Sequence, residues 1–278
     1  MKESIFRRMF DKKENRIFVP FLAIAMLWGC TAFARTVRTE PSFRILPRCV
    51  SHIRVTKFDH VAYVLRFVYD EQGRIVSVME SDAHEDAKTT TVEYDEDRMT
   101  VTDPTSKFVY DLADGRAVSM EGSWSETMEF SGCCTGTFSY DEAGYLIGRT
   151  YRNDADVEYE NIFTIVDGCL DGWKRLMEGE ELEMTNENDS ARLNNLNIDL
   201  FGLSEFTFYE VASGVRLYGI GGERVRTLPV RTDCRWLQQS DAPEYRTYSY
   251  RMEGEYISHI EIRNECGERI HLDFFYEE

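Results

Sequence analysis

The feature that most constrains the fold is a short strand–turn–strand unit that recurs along most of the chain. Its clearest copy runs from Phe138 to Tyr151, with apolar and aromatic residues at alternate positions on both sides of Asp141-Glu-Ala-Gly144. A period of two indicates a β-strand with one buried face. Asp and Gly suit the tight turn between two strands, because Gly adopts positive φ without steric cost. The sequence therefore predicts consecutive β-hairpins.

Looser copies of this unit extend the prediction over most of the chain. They span residues 61–79, 108–120, 248–262 and 264–276, with weaker forms at 92–101 and 166–173. The 17 Phe and 15 Tyr against 6 Pro also favour strands. Because the spacing is irregular, a solenoid or propeller is not indicated. We expect an all-β, antiparallel up-and-down meander of hairpins over residues 58–278, either a strongly curled open sheet or a closed barrel.

One region interrupts the pattern. Residues 186–197 are polar and rich in Asn, Asp and Glu, which predicts a long connection between two groups of hairpins. Residues 198–203 then predict a short helix or turn. The glycines of 219–222 lack the Gly-Lys-Ser/Thr ending of a phosphate loop, so a bulge or turn is expected there.

The N-terminus has the features of an export signal. A basic stretch precedes an apolar run at residues 17–29, which is short for a bilayer span. The run ends in Leu27-Trp28-Gly29-Cys30, which resembles the lipobox of bacterial lipoproteins and implies lipid attachment at Cys30. We expect a signal peptide at 1–29 and a basic tether at 30–57, which either rests on anionic headgroups or is a plain linker with a first edge strand. An ordinary signal peptide cleaved after Ala34 is the alternative.

Charge and cysteine content limit the partners. Residues 30–278 carry 26 basic and 47 acidic side chains, a net charge of −21, which opposes nucleic-acid binding. Apart from Cys30, the chain has six cysteines. This even number permits disulfides in an oxidising compartment, but free buried thiols are equally possible. Cys133 and Cys134 are adjacent, so on a strand they point to opposite faces.

No catalytic or metal-binding motif is recognisable. The five His form no His-Glu-x-x-His motif, and no Gly-x-Ser-x-Gly or Cys-x-x-Cys motif occurs. His259 and His271 share strand faces with Glu261 and Asp273, which predicts solvent-exposed positions. We therefore assign no catalytic residue, metal ligand or cofactor.

Aromatic residues suggest a ligand site of another kind. Trp124, Trp173 and Trp236 are candidates for a stacking platform for sugars, apolar below and hydrogen-bonding at the rim. The alternative is that these side chains belong to the core.

The Tyr-Asp-x-x-Gly-x-(Ile/Leu) hairpins, residues 195–200 with 221–229, and the closing Tyr248–Ile257 together resemble the DUF4595-type lipoproteins of Bacteroidetes. The resemblance covers residues 58–278 and implies a porin-like β fold in the cell envelope, with no catalytic residues to transfer. It favours an exported, lipid-anchored outer-membrane protein with a non-catalytic binding or structural role. Since no acidic run follows Cys30, we expect it to face the periplasm, where a glycan or another envelope protein is the expected partner. The alternative function is a glycan-acting hydrolase or a carbohydrate-binding protein.

Overall fold

A computed structural model describes residues 48–82, 87–127, 130–154, 158–177, 179–203, 205–206, 213–237 and 244–277. The predicted signal peptide at 1–29, the lipid-attachment residue Cys30 and most of the predicted tether lie outside these residues. Within the described part of the chain, no helix is long and apolar enough to cross a bilayer.

Sixteen antiparallel strands form a closed barrel, in which each strand pairs with its neighbours in sequence and β1 also pairs with β16. This confirms the predicted up-and-down meander and decides between an open sheet and a barrel. The strands are β1 Val50–Lys57, β2 His60–Tyr69, β3 Ile75–Asp82, β4 Lys88–Tyr94, β5 Arg98–Thr102, β6 Ser106–Ala113, β7 Arg116–Thr127, β8 Phe130–Tyr140, β9 Leu146–Asn153, β10 Glu158–Val166, β11 Cys169–Met177, β12 Glu180–Leu193, β13 Thr227–Trp236, β14 Glu244–Glu253, β15 Tyr256–Asn264 and β16 Arg269–Tyr276. We call the end where β1 begins the lower end and the end where β1 finishes the upper end.

The recurring sequence unit forms one type of turn. At Asp141 the backbone N–H of Tyr145 donates to the side-chain Oδ1 (2.8 Å), and the N–H of Gly144 donates to the Asp141 carbonyl (3.0 Å). Asp70 and Asn264 make the same pair of contacts with the residues that follow them. The Asp or Asn side chain thus replaces a backbone acceptor inside the turn, and a glycine with positive φ lets the chain reverse.

The barrel begins within the segment predicted as the tether. Residues 50–57, for which we expected either a tether or a first edge strand, form β1, which is not an edge strand because it pairs with both β2 and β16. Polar residues of β1 alternate with Ile53 and Val55, which are buried against the inward side chains of β16.

The predicted polar connection at 186–197 is also wrong over most of its length, because β12 continues to Leu193. Asn186 and Asn188 face inward, and each donates its side-chain N–H to the Leu170 carbonyl at 3.0 Å. Thr232 donates to the Asn186 amide oxygen at 2.7 Å. Polar inward residues are therefore hydrogen-bonded, which allows a strand without the expected apolar face.

The two faces of the wall differ in chemistry. Inward side chains form one continuous apolar core, with Met99, Leu170, Leu182 and Leu272 almost fully buried. Outward side chains carry charges that pair across neighbouring strands. These pairs include Arg98–Asp111, Arg152–Glu158, Lys174–Glu181 and Arg235–Glu183.

The connection between β12 and β13, residues 194–226, is called the plug below. Among its described residues, a 3₁₀ turn at Leu200–Gly202 confirms the predicted short helix or turn, and helix α1 spans Ser213–Leu217. Gly219 and Gly222 have positive φ in a turn, as predicted. The apolar plug residues are buried with the core of the barrel: Leu196, Ile198, Leu200, Phe201, Leu203, Phe206, Val215, Ile220 and Val225.

The plug enters the lumen from the lower end and contacts strands on opposite sides of the barrel. The Asn197 side chain accepts from the Val50 N–H of β1 at 3.0 Å. The Ile220 carbonyl accepts from the Ala117 N–H of β7 at 2.9 Å. The lower end of the barrel is therefore closed by the chain itself.

Two buried carboxylates fix the plug through charged contacts. Asp199 pairs with Arg216 at 3.3 Å, with both side chains 3% exposed. Glu205 accepts from Tyr63 and from Lys57 of the wall, the latter at 3.1 Å. Because an unpaired charge is costly in the interior, the first pair holds the plug in its own conformation and the contacts of Glu205 tie it to the wall.

The described cysteines are all free, so the possible disulfides are not formed among them. Cys133 is exposed and Cys134 is buried, which confirms that the two point to opposite faces.

Candidate functional site

A cleft of about 490 Å³ lies at the upper end of the barrel, where the β5–β6 turn approaches the start of β8 and the end of β9. Its volume is in the range of small-molecule sites. It is lined by Thr102, Asp103, Pro104, Thr105, Ser106, Lys107, Ser123, Trp124, Gly132, Cys133 and Asp154.

Trp124 is the single aromatic side chain of this lining. It lies on β7, opposite Ser106 of β6 and Gly132 of β8, and it is half-buried against the core. A Cβ atom at position 132 would collide with the indole ring, so the glycine provides the space that the ring occupies. The ring is thus held by the wall at its base and borders the open cleft.

On the polar side of the cleft, hydrogen bonds hold the Asp103 carboxylate in one orientation. Its Oδ1 accepts from the backbone N–H groups of Thr105 (2.7 Å) and Ser106 (2.8 Å) and from the Thr105 hydroxyl, while Oδ2 accepts from the Ser106 hydroxyl. Partial burial alone would raise the pKa of Asp103, but these hydrogen bonds outweigh it and lower the pKa below its usual value. Asp103 is therefore a fixed anionic acceptor.

Asp154 forms the opposite side. Its backbone N–H donates to the Cys133 carbonyl at 3.0 Å, and its Oδ2 accepts from the Cys133 N–H at 3.3 Å. Lys107 and Ser123 add an ammonium group and a hydroxyl. An apolar ring beside carboxylates, hydroxyls and one ammonium group suits a ligand with an apolar face and many hydroxyl groups.

The structure does not bring the three predicted tryptophans together. Trp173 is buried in the middle of β11 with 2% exposure, and its indole N–H points to the Met184 sulfur at 2.8 Å. It is a core residue, so its assignment to a ligand platform is wrong. Trp236 ends β13, and β8 to β12 separate it from Trp124. Trp124 alone of the three borders the cleft.

Sequence reasoning missed the carboxylates of the cleft. Asp103-Pro-Thr-Ser106 contains a turn signal, since Asp before Pro and Ser favours a side-chain-capped turn. Asp154 carries no such signal, and its position follows only from the pairing of β8 with β9.

The fold is similar to that of solved structures from Bacteroides, whereas no protein-family model and no curated protein matches the sequence. A porin-like protein from Bacteroides vulgatus ATCC 8482 has a TM-score of 0.65 at 14% identity, covering 83% of this chain and 99% of its own. A porin-like protein from Bacteroides uniformis ATCC 8492 has a TM-score of 0.64 at 18% identity, covering 82% and 96% respectively. At such low identity the likeness concerns the fold, and this chain is therefore an all-β protein with the barrel fold of these porin-like proteins.

Proposed function

We propose that this chain is a lipid-anchored barrel of the bacterial envelope that binds a carbohydrate at the Trp124 cleft without cleaving it. The export signal and the lipobox at Cys30 support the envelope location. The similar fold of the two porin-like Bacteroides proteins agrees with it. Membership of the DUF4595-type lipoproteins and a periplasm-facing position at the outer membrane are parts of this proposal.

The outer wall supports a barrel that stands in water and is held to the membrane by its lipid. A membrane-spanning barrel has an outward apolar band about 25 Å tall, and Arg or Lys at its middle costs roughly 2–4 kcal/mol. Here Lys174 and Arg235 lie within their strands and pair with Glu181 and Glu183 on the outward face. Such a wall is suited to solvent rather than to acyl chains.

The observation that carries the binding proposal is the combination of Trp124 with fixed acceptors in one cleft. Sugars present C–H groups on one ring face and hydroxyls at the edge. An indole ring packs against the C–H face of the sugar. Asp154, Ser123 and the remaining acceptor site on Asp103 Oδ2 suit the hydroxyls at its edge. The negative charge of the body favours a neutral or amino sugar over an acidic one.

A hydrolase is the competing function, because the cleft contains two carboxylates. Paired-acid glycosidases need one carboxyl with a raised pKa to protonate the leaving group. The pKa of Asp103 is lowered, and its oxygens already accept four hydrogen bonds. This environment favours binding without hydrolysis.

A glycan array followed by calorimetry tests the binding site. We expect the purified full chain to bind at least one envelope or dietary glycan. Trp124→Ala should weaken that binding by up to about tenfold, since a ring contact contributes about 0.5–1.5 kcal/mol beyond its buried area. Trp236→Ala is the matched control, with the same residue lost outside the cleft, and it should leave affinity unchanged. Thermal unfolding of each variant separates loss of the site from loss of the fold.

Two results would overturn this proposal. One is the absence of glycan binding by the wild-type chain, or equal weakening by both tryptophan variants. The other is release of shortened sugars that Asp103→Asn abolishes, which would favour the hydrolase.

The anchor is tested separately. Radiolabelled palmitate should enter the wild-type protein in cells and should not enter Cys30→Ala. Labelling that persists in the variant would contradict lipid attachment at Cys30, and release of the protein by protease shaving of intact cells would contradict the periplasm-facing position.

A further inference from the structure

Four side chains with metal-ligand chemistry meet on the outer face of β15 and β16. In the register of these strands His259 lies opposite Asp273, and Glu261 lies opposite His271. These residues alternate with buried Ile260, Ile262 and Leu272, so all four project outward. The two histidines therefore occupy diagonal positions on the same face.

The imidazole rings approach each other through their nitrogen atoms. His259 Nδ1 lies 2.7 Å from Asp273 Oδ1, and His259 Nε2 lies 3.4 Å from His271 Nδ1. The same His271 nitrogen is 4.0 Å from Glu261 Oε2. The ring centroids are 5.3 Å apart and the ring planes are inclined by 31°.

We propose that His259 and His271 form a chelate for a transition-metal dication of the Zn²⁺, Ni²⁺ or Cu²⁺ class. The ligand atoms are His259 Nε2 and His271 Nδ1, and Glu261 Oε2 supplies a third after a small rotation of its side chain. Water fills the remaining positions. The proposal is independent of the cleft at Trp124, which lies on other strands.

The distance between the two nitrogens carries this inference. A tetrahedral metal with nitrogen ligands at about 2.0–2.1 Å holds two of them roughly 3.3–3.4 Å apart. The observed separation is 3.4 Å, so the two nitrogens already lie at the distance that one shared ion requires. To bind the ion as a neutral imidazole, His271 carries its proton on Nε2, so that its Nδ1 and the Nε2 of His259 both present lone pairs.

Asp273 selects the correct form of His259. Its carboxylate accepts the Nδ1–H, which leaves the Nε2 lone pair directed at His271. A carboxylate behind a ligating histidine is the usual outer partner of a zinc-bound imidazole, because it fixes both the tautomer and the ring orientation.

Neighbouring charges decide which metals fit. Glu261 accepts from Arg263 through Oε1 (2.9 Å), which leaves Oε2 on the side of His271. Arg54 and Arg251 lie beside Asp273 and His259 in the flanking strands. These cations oppose hard ions that depend on carboxylates, such as Ca²⁺, whereas imidazole nitrogens favour Zn²⁺, Ni²⁺ and Cu²⁺.

Within the described residues, no group of three ligand-type side chains already surrounds one point. The proposed site is therefore a two-imidazole chelate that Glu261 completes, rather than a closed structural site. Such a site leaves coordination positions open to water or to a ligand from a partner.

Isothermal titration with Zn²⁺ and Ni²⁺ tests the chelate, with a full chain that has no histidine tag and with exposed thiols alkylated in every sample. We expect one ion per chain in the wild type and none for Mg²⁺ or Ca²⁺. Asp273→Asn should weaken binding about 10- to 100-fold, and His259→Ala or His271→Ala should weaken it more. His60→Ala is the matched control, because His60 is an exposed histidine outside the cluster, and it should bind as the wild type does.

Two further readouts keep the test independent of folding. Thermal unfolding with chelator present should be the same for all variants, and added Zn²⁺ should raise the midpoint only where both histidines remain. Ni²⁺ should broaden the imidazole NMR signals of His259 and His271 and leave those of His52 and His60 sharp. Absence of wild-type binding, unchanged binding in either alanine variant of the pair, or equal loss in His60→Ala would overturn the proposal.

Discussion

The inner and outer faces of the barrel differ along the same strands. On β16, Leu272 and Phe274 face inward and are 0% and 5% exposed, whereas their neighbours His271 and Asp273 face outward in a polar cluster. The lumen is filled by apolar side chains and the plug, and the outer surface carries paired charges. A membrane-spanning channel of this strand number has the opposite distribution, with an apolar exterior and a polar, water-filled interior. A closed, hydrogen-bonded barrel can therefore have its apolar side chains either inside or outside.

Loss of the charge balance inside the plug should have the largest effect. Asp199→Asn keeps the shape of the side chain and an acceptor for the Phe201 N–H, but it leaves the buried Arg216 guanidinium without its carboxylate. We expect a decrease of about 3–5 kcal/mol in the free energy of unfolding. Urea unfolding followed by tryptophan fluorescence measures it. A decrease below about 1 kcal/mol would mean that the plug does not depend on this pair.

The next prediction compares how substitutions at an inward and at an exposed position of β16 change the free energy of unfolding. Leu272→Ala should lower the free energy of unfolding by about 2–5 kcal/mol, because it removes a fully buried side chain and leaves a cavity. Arg269→Ala, at an exposed position of the same strand, should change it by no more than about 0.5 kcal/mol. Similar losses in both variants would contradict the assignment of the core to the lumen.

Glu205 should make the contact between plug and wall dependent on pH. Burial alone would raise its pKa, but hydrogen bonds from Tyr63 and Lys57 and the charge of Lys57 lower it below the usual 4.5. Its contribution to stability is therefore present above pH 4.5 and is lost as the pH falls through the lower folded value. Glu205→Gln should lose less stability than the wild type between about pH 6 and pH 3. Parallel urea midpoints across this range would contradict the prediction.

The smallest effect belongs to an outer charge pair. Arg98 and Asp111 are 3.3 Å apart, with side chains 56% and 51% exposed. Arg98→Ala should therefore cost less than about 1 kcal/mol, and added salt should reduce the difference further. Denaturant unfolding in low and high salt measures both quantities. A cost as large as that of Asp199→Asn would remove the distinction between the two faces.

The hairpins could be predicted from the sequence because their signals are local. Alternating residues and the Asp-x-x-Gly turn at Asp141 lie within a few positions of each other, and the structure has the predicted turn there. Closure could not be predicted in this way, because β1 and β16 come from opposite ends of the chain. The polar stretch in β12 was also mistaken for a connection, since Asn186 and Asn188 face inward and donate hydrogen bonds to a carbonyl that only the folded barrel brings near them.

The candidate site was predictable only in part. The sequence marked Trp124 and Trp173 equally, and their different roles depend on position: Trp124 lies near the upper rim and Trp173 lies in the middle of the lumen. The sequence also indicated that His259 and His271 share their strand faces with carboxylates. It did not indicate that the two imidazoles meet, because that contact requires the register between β15 and β16.

The pairing of β1 with β16 also determines when folding can finish. Val50 pairs with Tyr276, so the circuit stays open until the last strand has been synthesised. Until then β1 presents an unpaired row of N–H and C=O groups, the type of edge through which incomplete sheets join one another. Contacts so distant in sequence also form slowly. The final eight-residue strand, Arg269–Tyr276, therefore separates an aggregation-prone intermediate from a closed and self-contained protein.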